Sequence, residues 1–192
     1  MANQSRVMIG WRAVTIVRVM GPLLMILAFV GMFSGLILTT GQELLFRSPA
    51  LFILVPAVVG LGGNLGAIIG SRVSTALHLG IIEPSLSNIA LRNNIISSLI
   101  AGGVMFIILG IVAGVLASFL SLKGPSMIEI FLISTISGVF LVLFVVIISV
   151  AAAFFSYRRG LDPDDVVIPV VTSFSDLAGI AFLMGIVVLI LG

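Results

Sequence analysis

Cysteine is absent from the sequence, which excludes disulfides, thiolate metal ligands and a cysteine nucleophile. Histidine occurs once, at His78, so an imidazole metal cluster has no second member to draw on. Charge is scarce as well. Asp, Glu, Lys and Arg together make up 8% of the 192 residues while 60% are hydrophobic, and the mean hydropathy is +1.40. Such a chain has too few polar residues to cover a water-facing surface. A nucleic-acid partner is not expected either, because a net charge of +2 with no basic soluble face offers no footprint for a phosphate backbone.

What is present is length without charge. Val19–Gln42, Ser48–Ser71, Asn93–Leu122 and Ile130–Tyr157 contain no Asp, Glu, Lys or Arg, and each exceeds the roughly 20 residues that a helix needs to cross a hydrocarbon core. Val166–Gly192 would be a fifth such run but for Asp176. Helices satisfy their own backbone in lipid, and the alternation of a barrel strand is missing. The sequence therefore predicts an all-α integral membrane protein, one domain over residues 1–192, with spans at about 19–42, 48–71, 93–122, 128–157 and 166–192. Gly41–Pro49, Lys123–Pro125 and Tyr157–Asp165 read as short turns. Residues 72–92 read as the end of span two, a break at Gly80 and Glu83-Pro84, and a lead into span three.

Basic residues set the expected orientation. Arg6, Arg12, Arg18, Arg72, Arg92, Arg158 and Arg159 fall on one side, and only Arg47 and Lys123 on the other. The positive-inside bias puts the N-terminus in the cytoplasm and the C-terminus outside. The segment carrying Arg6, Trp11, Arg12 and Arg18 reads as an interfacial anchor retained in the protein. The expected location is a cell membrane, with the plasma membrane of a prokaryote favoured.

Span five opens with Asp162, a good N-cap, then Pro163, which suits the first helical position, and Asp164 and Asp165, which face the positive end of the helix dipole. The same three acids could also gather cations at a cytoplasmic mouth. Pro169 removes a backbone donor and frees the carbonyl of Asp165. Asp176 follows 13 residues after Pro163, about 20 Å along a helix, deep in the membrane. A lone carboxylate there costs roughly 2.5–3.5 kcal/mol on insertion scales, and no Lys or Arg occupies another span interior to offset it. On a helical wheel Pro169, Thr172, Ser173, Asp176 and Gly179 share one side, a mostly polar stripe leading to the carboxylate. A cation or proton pathway accounts for this placement; a protonated Asp bonding to a neighbouring helix is the structural alternative.

Span two carries a second constellation. Gly62, Gly66 and Gly70 recur every four residues, the small-residue pattern of closely packed membrane helices. Gly60, Asn64, Ala67, Ser71, Thr75 and His78 gather on a different, polar face. Asn64 either joins helices or presents a carbonyl oxygen to an ion. His78 reads as a cytoplasmic-side surface or packing histidine, and Arg72 as a snorkelling interface residue.

The run VPAVVGLGGNLGAIIGSRVSTALHLG, Val55 to Gly80, resembles the signature of the eukaryotic solute-carrier branch of the MgtE family of magnesium transporters, and DPDDVVIPVVTSFSDLAGI, Asp162 to Ile180, resembles that family's final helix. The resemblance implies a five-helix domain that dimerises around a cation pore. It also implies that the acid of the last helix, here Asp176, binds magnesium, with Asn64 and the Pro169–Ser173 segment, including Thr172 and Ser173, as pore neighbours. Bacterial members of the family carry a large cytoplasmic sensor ahead of the pore, whereas about 18 residues precede span one here, so magnesium sensing by such a region is not inferred. A homodimer would complete the pore, twofold closure being the commonest route. The expected cargo is Mg2+, although Co2+ and Mn2+ also accept an oxygen site. No enzyme activity is expected: an aspartyl dyad would need two acids in one site. A noncatalytic membrane subunit, or a proton-coupled carrier of another cation, remains the alternative.

Overall fold

The computed structural model describes residues 13–192 except Leu86 and Asp162, and side chains in that range except those of residues 13–16, Val19 and 163–165. The interfacial role expected of Arg6, Trp11 and Arg12 lies outside the described residues. Among the described residues six α-helices follow one another: α1 Ala13–Thr40, α2 Gln42–Arg47, α3 Leu54–His78, α4 Ile89–Phe119, α5 Met127–Arg159 and α6 Pro163–Leu191, with a 3-10 turn Pro49–Ile53 leading into α3. Five of these segments are long and apolar enough to cross a membrane, and no strand occurs among the described residues. The protein is thus an all-helical, multi-pass membrane protein.

The helix ends follow local chemistry. Asn88 caps α4, its Oδ1 accepting from the Ala90 amide at 2.8 Å. Ser126 and Glu129 form a reciprocal capping box at the start of α5, so the acid at 129 serves the helix terminus. Gly160 closes α5 with φ +62, and Gly80 follows α3 with φ +67, both in the left-handed region that glycine enters without penalty. One expectation needs correcting: Gly41–Pro49 is not a plain turn, because Gln42–Arg47 forms the short helix α2. Leu45 is buried while Glu43 and Arg47, one turn apart, face outward at 3.9 Å. Six residues are too few for that amphipathic pattern to show as a period.

α3, α5 and α6 pack on one another, α4 lies against α5, and α1 lies against α6. Both loop ends are tied. The Ala50 amide donates to the Lys123 carbonyl at 3.2 Å, and at the opposite end the rings of His78 and Tyr157 meet edge to face with centroids 5.6 Å apart. His78 is accordingly a packing residue, its Nδ1 3.0 Å from the Ser74 carbonyl.

Candidate functional site

The glycines of α3 determine how close α6 and α5 can come. A methyl added at Gly62 would lie 2.8 Å from Leu141 Cδ2, one at Gly70 2.7 Å from Val167 Cγ1, and one at Gly66 would overlap Val171 Cγ1. The stripe read from the sequence is therefore the packing face of α3 against α5 and α6. Ser149 of α5 ties the same junction by donating to the Gly66 carbonyl at 3.2 Å as well as to its own Val145 carbonyl at 2.7 Å.

This close approach carries Gly63 to the carboxylate. A methyl on Gly63 would sit 3.5 Å from Asp176 Oδ1 and 3.7 Å from Thr172 Cγ2, so Asp176 and Thr172 line up beside bare α3 backbone. Asp176 lies near the middle of the 29-residue α6. It is partly open to the outside of the chain, and among the described residues its carboxylate makes neither a hydrogen bond nor an ion pair. Asn64, the next residue along α3, is exposed. Thr172 Oγ1 donates to the Ile168 carbonyl at 2.9 Å and to the Pro169 carbonyl at 3.1 Å. Its one proton is engaged with the backbone, and its lone pairs remain free to accept. Ser173 is partly buried on the same helix.

The site residues divide accordingly. Asp176, Thr172 and the Gly63 backbone come together, while Gly179 does not share the open stripe: a methyl there would touch Leu141 at 3.4 Å and Val58 at 3.6 Å, inside the core. Asp162 lies outside the described residues, as do the side chains of Asp164 and Asp165. Gly63 and the buried, unpartnered hydroxyl of Ser175 escaped the sequence reading. The doubled glycine before Asn64 and the Ser-x-Ser-Asp run were the available signals, but the four-residue period drew attention to Gly62 instead. Among the described residues no three His, Cys, Asp or Glu side chains cluster as a metal cage. One chain thus offers a single, partly open carboxylate near the middle of α6, beside the backbone of Gly63.

Comparison with known proteins extends the geometry. Residues 55–186 match the MgtE family model, described as divalent cation transporter. Solute carrier family 41 member 2 of Homo sapiens is 32% identical over 166 residues, covering 78% of this chain and 27% of the relative. The Gallus gallus protein of the same name is 34% identical over 146 residues, covering 69% of this chain and 24% of the relative. Solute carrier family 41 member 3 of Mus musculus is 30% identical over 171 residues, covering 80% and 34%. The chain spans about a quarter to a third of the length of these relatives. All three are animal proteins and lend no support to a prokaryotic plasma membrane.

Proposed function

The chain belongs to the MgtE family of divalent cation transporters, and from that premise we propose that it moves Mg2+ across the membrane through a homodimeric pore in which two copies of Asp176 face each other. The observation that carries this reading is the partly open Asp176 carboxylate beside Gly63 in the middle of α6, which has no partner among the described residues. Two such carboxylates match a divalent charge without any other acid. At an effective dielectric of 20, a unit pair 4 Å apart gains about 4 kcal/mol. A divalent ion held through one water therefore has roughly twice that gross attraction to each carboxylate, which acts against the roughly 2.5–3.5 kcal/mol insertion cost of each buried charge, the ion's dehydration and the repulsion between the two acids.

Magnesium gives up its waters reluctantly and is held by one or two carboxylates with several waters retained. The surrounding groups suit a hydrated ion. Thr172, its proton engaged with the Ile168 and Pro169 carbonyls, presents lone pairs to the outward-pointing hydrogens of metal-bound waters. The exposed Asn64 and Ser173 add further oxygens on either side. Asp162, Asp164 and Asp165 at the start of α6 draw cations to the mouth. In this reading the N-terminus and that mouth are cytoplasmic, and the exposed polar face of α3 meets the second copy.

The test is uptake into proteoliposomes by the purified chain. Asp176→Asn keeps the side-chain shape and removes the charge, so divalent-cation uptake falls to the empty-vesicle level while the elution volume of the dimer stays unchanged. Uptake at the parent rate by a correctly inserted Asn variant would remove Asp176 from the pathway. A parent chain that inserts and dimerises but carries nothing would favour a noncatalytic subunit.

A further inference from the structure

A groove of about 410 Å³ runs between α4 and α5, lined by Ile95 on α4 and Val146, Ile147, Val150, Ala151 and Phe154 on α5. It shares no residue with the proposed pore. Ser149, which faces α3 through the Gly66 carbonyl, is two residues from both Ile147 and Ala151, so at 100° per residue these two lie about 160° around α5 from it. The space corresponds to on the order of a dozen water volumes, and an all-apolar cavity stays dry and accepts an apolar guest. In a membrane that guest is hydrocarbon.

The groove also ends in positive charge. Ile95 is three residues after Arg92, and Phe154 is four residues before Arg158, so each arginine sits one helical turn beyond the lining, at the same end of the antiparallel pair. On the wheel Arg158 falls between Ile147 and Ala151, about 20° from each. Both arginines are exposed. Side chains lean toward the N-terminus of their helix, which brings Arg158 back along α5 toward the groove, whereas Arg159 lies over the Phe155 ring, 4.8 Å from its centroid. A guanidinium binds phosphate oxygens in a bidentate fork, and basic pockets between membrane helices select anionic headgroups.

We propose that the α4–α5 groove binds one acyl chain of an anionic phospholipid whose headgroup phosphate is held by Arg92 and Arg158. The reading goes beyond transport and depends on the orientation proposed above only for which leaflet supplies the lipid.

The experiment reconstitutes the full chain in nanodiscs of equal phosphatidylglycerol and phosphatidylcholine and weighs the retained lipid by native mass spectrometry. Each arginine near a membrane surface favours an anionic lipid by about fivefold, so the parent retains phosphatidylglycerol with a preference of about 30-fold. That preference drops to near parity in Arg92→Gln/Arg158→Gln and persists in Arg92→Lys/Arg158→Lys. Ala151 is exposed, so Ala151→Leu and Ala151→Trp fill the groove without displacing a core side chain, and they lower retention with both arginines intact. Equal retention of the two lipids overturns the proposal; it is the outcome if aspartates of the α5–α6 turn satisfy the guanidiniums instead. A preference that responds to the arginines but not to filling the groove also overturns it, leaving surface attraction alone. Dissociation of the dimer by Ala151→Trp would assign the groove to a second copy and overturn it as well.

Discussion

Replacing Gly66 by alanine adds one methyl group where α3, α5 and α6 meet. That methyl would overlap Val171 Cγ1 and lie 3.2 Å from Val145 Cγ1 and 3.4 Å from Ser175 Oγ, and all three neighbours are buried. Overpacking a dense interior costs about 1–3 kcal/mol. Alanine also gains up to about 1 kcal/mol over glycine in a helix interior, so the informative quantity is a difference between two alanines. Gly103 on α4 is the control, since nothing lies within 4 Å of a methyl there and the helix gain is the same. Gly66→Ala should therefore be about 1–3 kcal/mol less stable than Gly103→Ala. At about 2–4 °C per kcal/mol for a chain of this size, that is a gap of roughly 2–12 °C in melting temperature, read by size-exclusion fluorescence in detergent. Gly66→Leu should fail to assemble. Equal melting temperatures for the two alanine variants would show that the α3 glycine stripe does not pack against α5 and α6.

Asp176→Glu should keep measurable uptake while shifting preference among Mg2+, Co2+ and Ca2+, because the extra methylene changes how many waters fit between carboxylate and metal; a folded Glu variant as inactive as Asp176→Asn would argue for direct, fixed ligation. Gly63→Ala places a methyl at ordinary contact distance, 3.5 Å from Asp176 Oδ1, and should cost little, whereas Gly63→Val pushes further atoms into that space and should lower uptake roughly tenfold or more with dimer size unchanged. Parent-level flux in Gly63→Val would mean that the space beside Gly63 does not shape the Asp176 site.

The five spans were legible because exclusion of charge from hydrocarbon is a coarse, cumulative signal. The helices overrun the charge-free stretches at their ends, α3 reaching His78 and α4 starting at Ile89, because arginines at the interface extend into water without ending a helix. The stripe Gly62, Gly66, Gly70 was legible for the same periodic reason, as was the solitary Asp176. Gly63 was not, since its importance depends on which residue of α6 lies opposite, a matter of register between two helices about 110 residues apart in sequence. The seams of α5 were also hidden. Ser134, Ser137 and Ser149 are buried, and Ser134 and Ser149 donate to carbonyls of α4 and α3, at Phe106 and Gly66. A serine in an apolar span reads the same whether it bonds its own helix or a neighbour's.

Whether two copies of Asp176 hold one divalent ion between them is tested most directly by an anomalous-difference map of the assembled protein crystallised with Mn2+. The expected result is one peak on a twofold axis, flanked by both Asp176 carboxylates at about 4 Å, the separation of a water-mediated contact, and absent from Asp176→Asn crystals. A peak bound by residues of one chain alone, or a dimer in which the two Asp176 side chains face lipid, would contradict it.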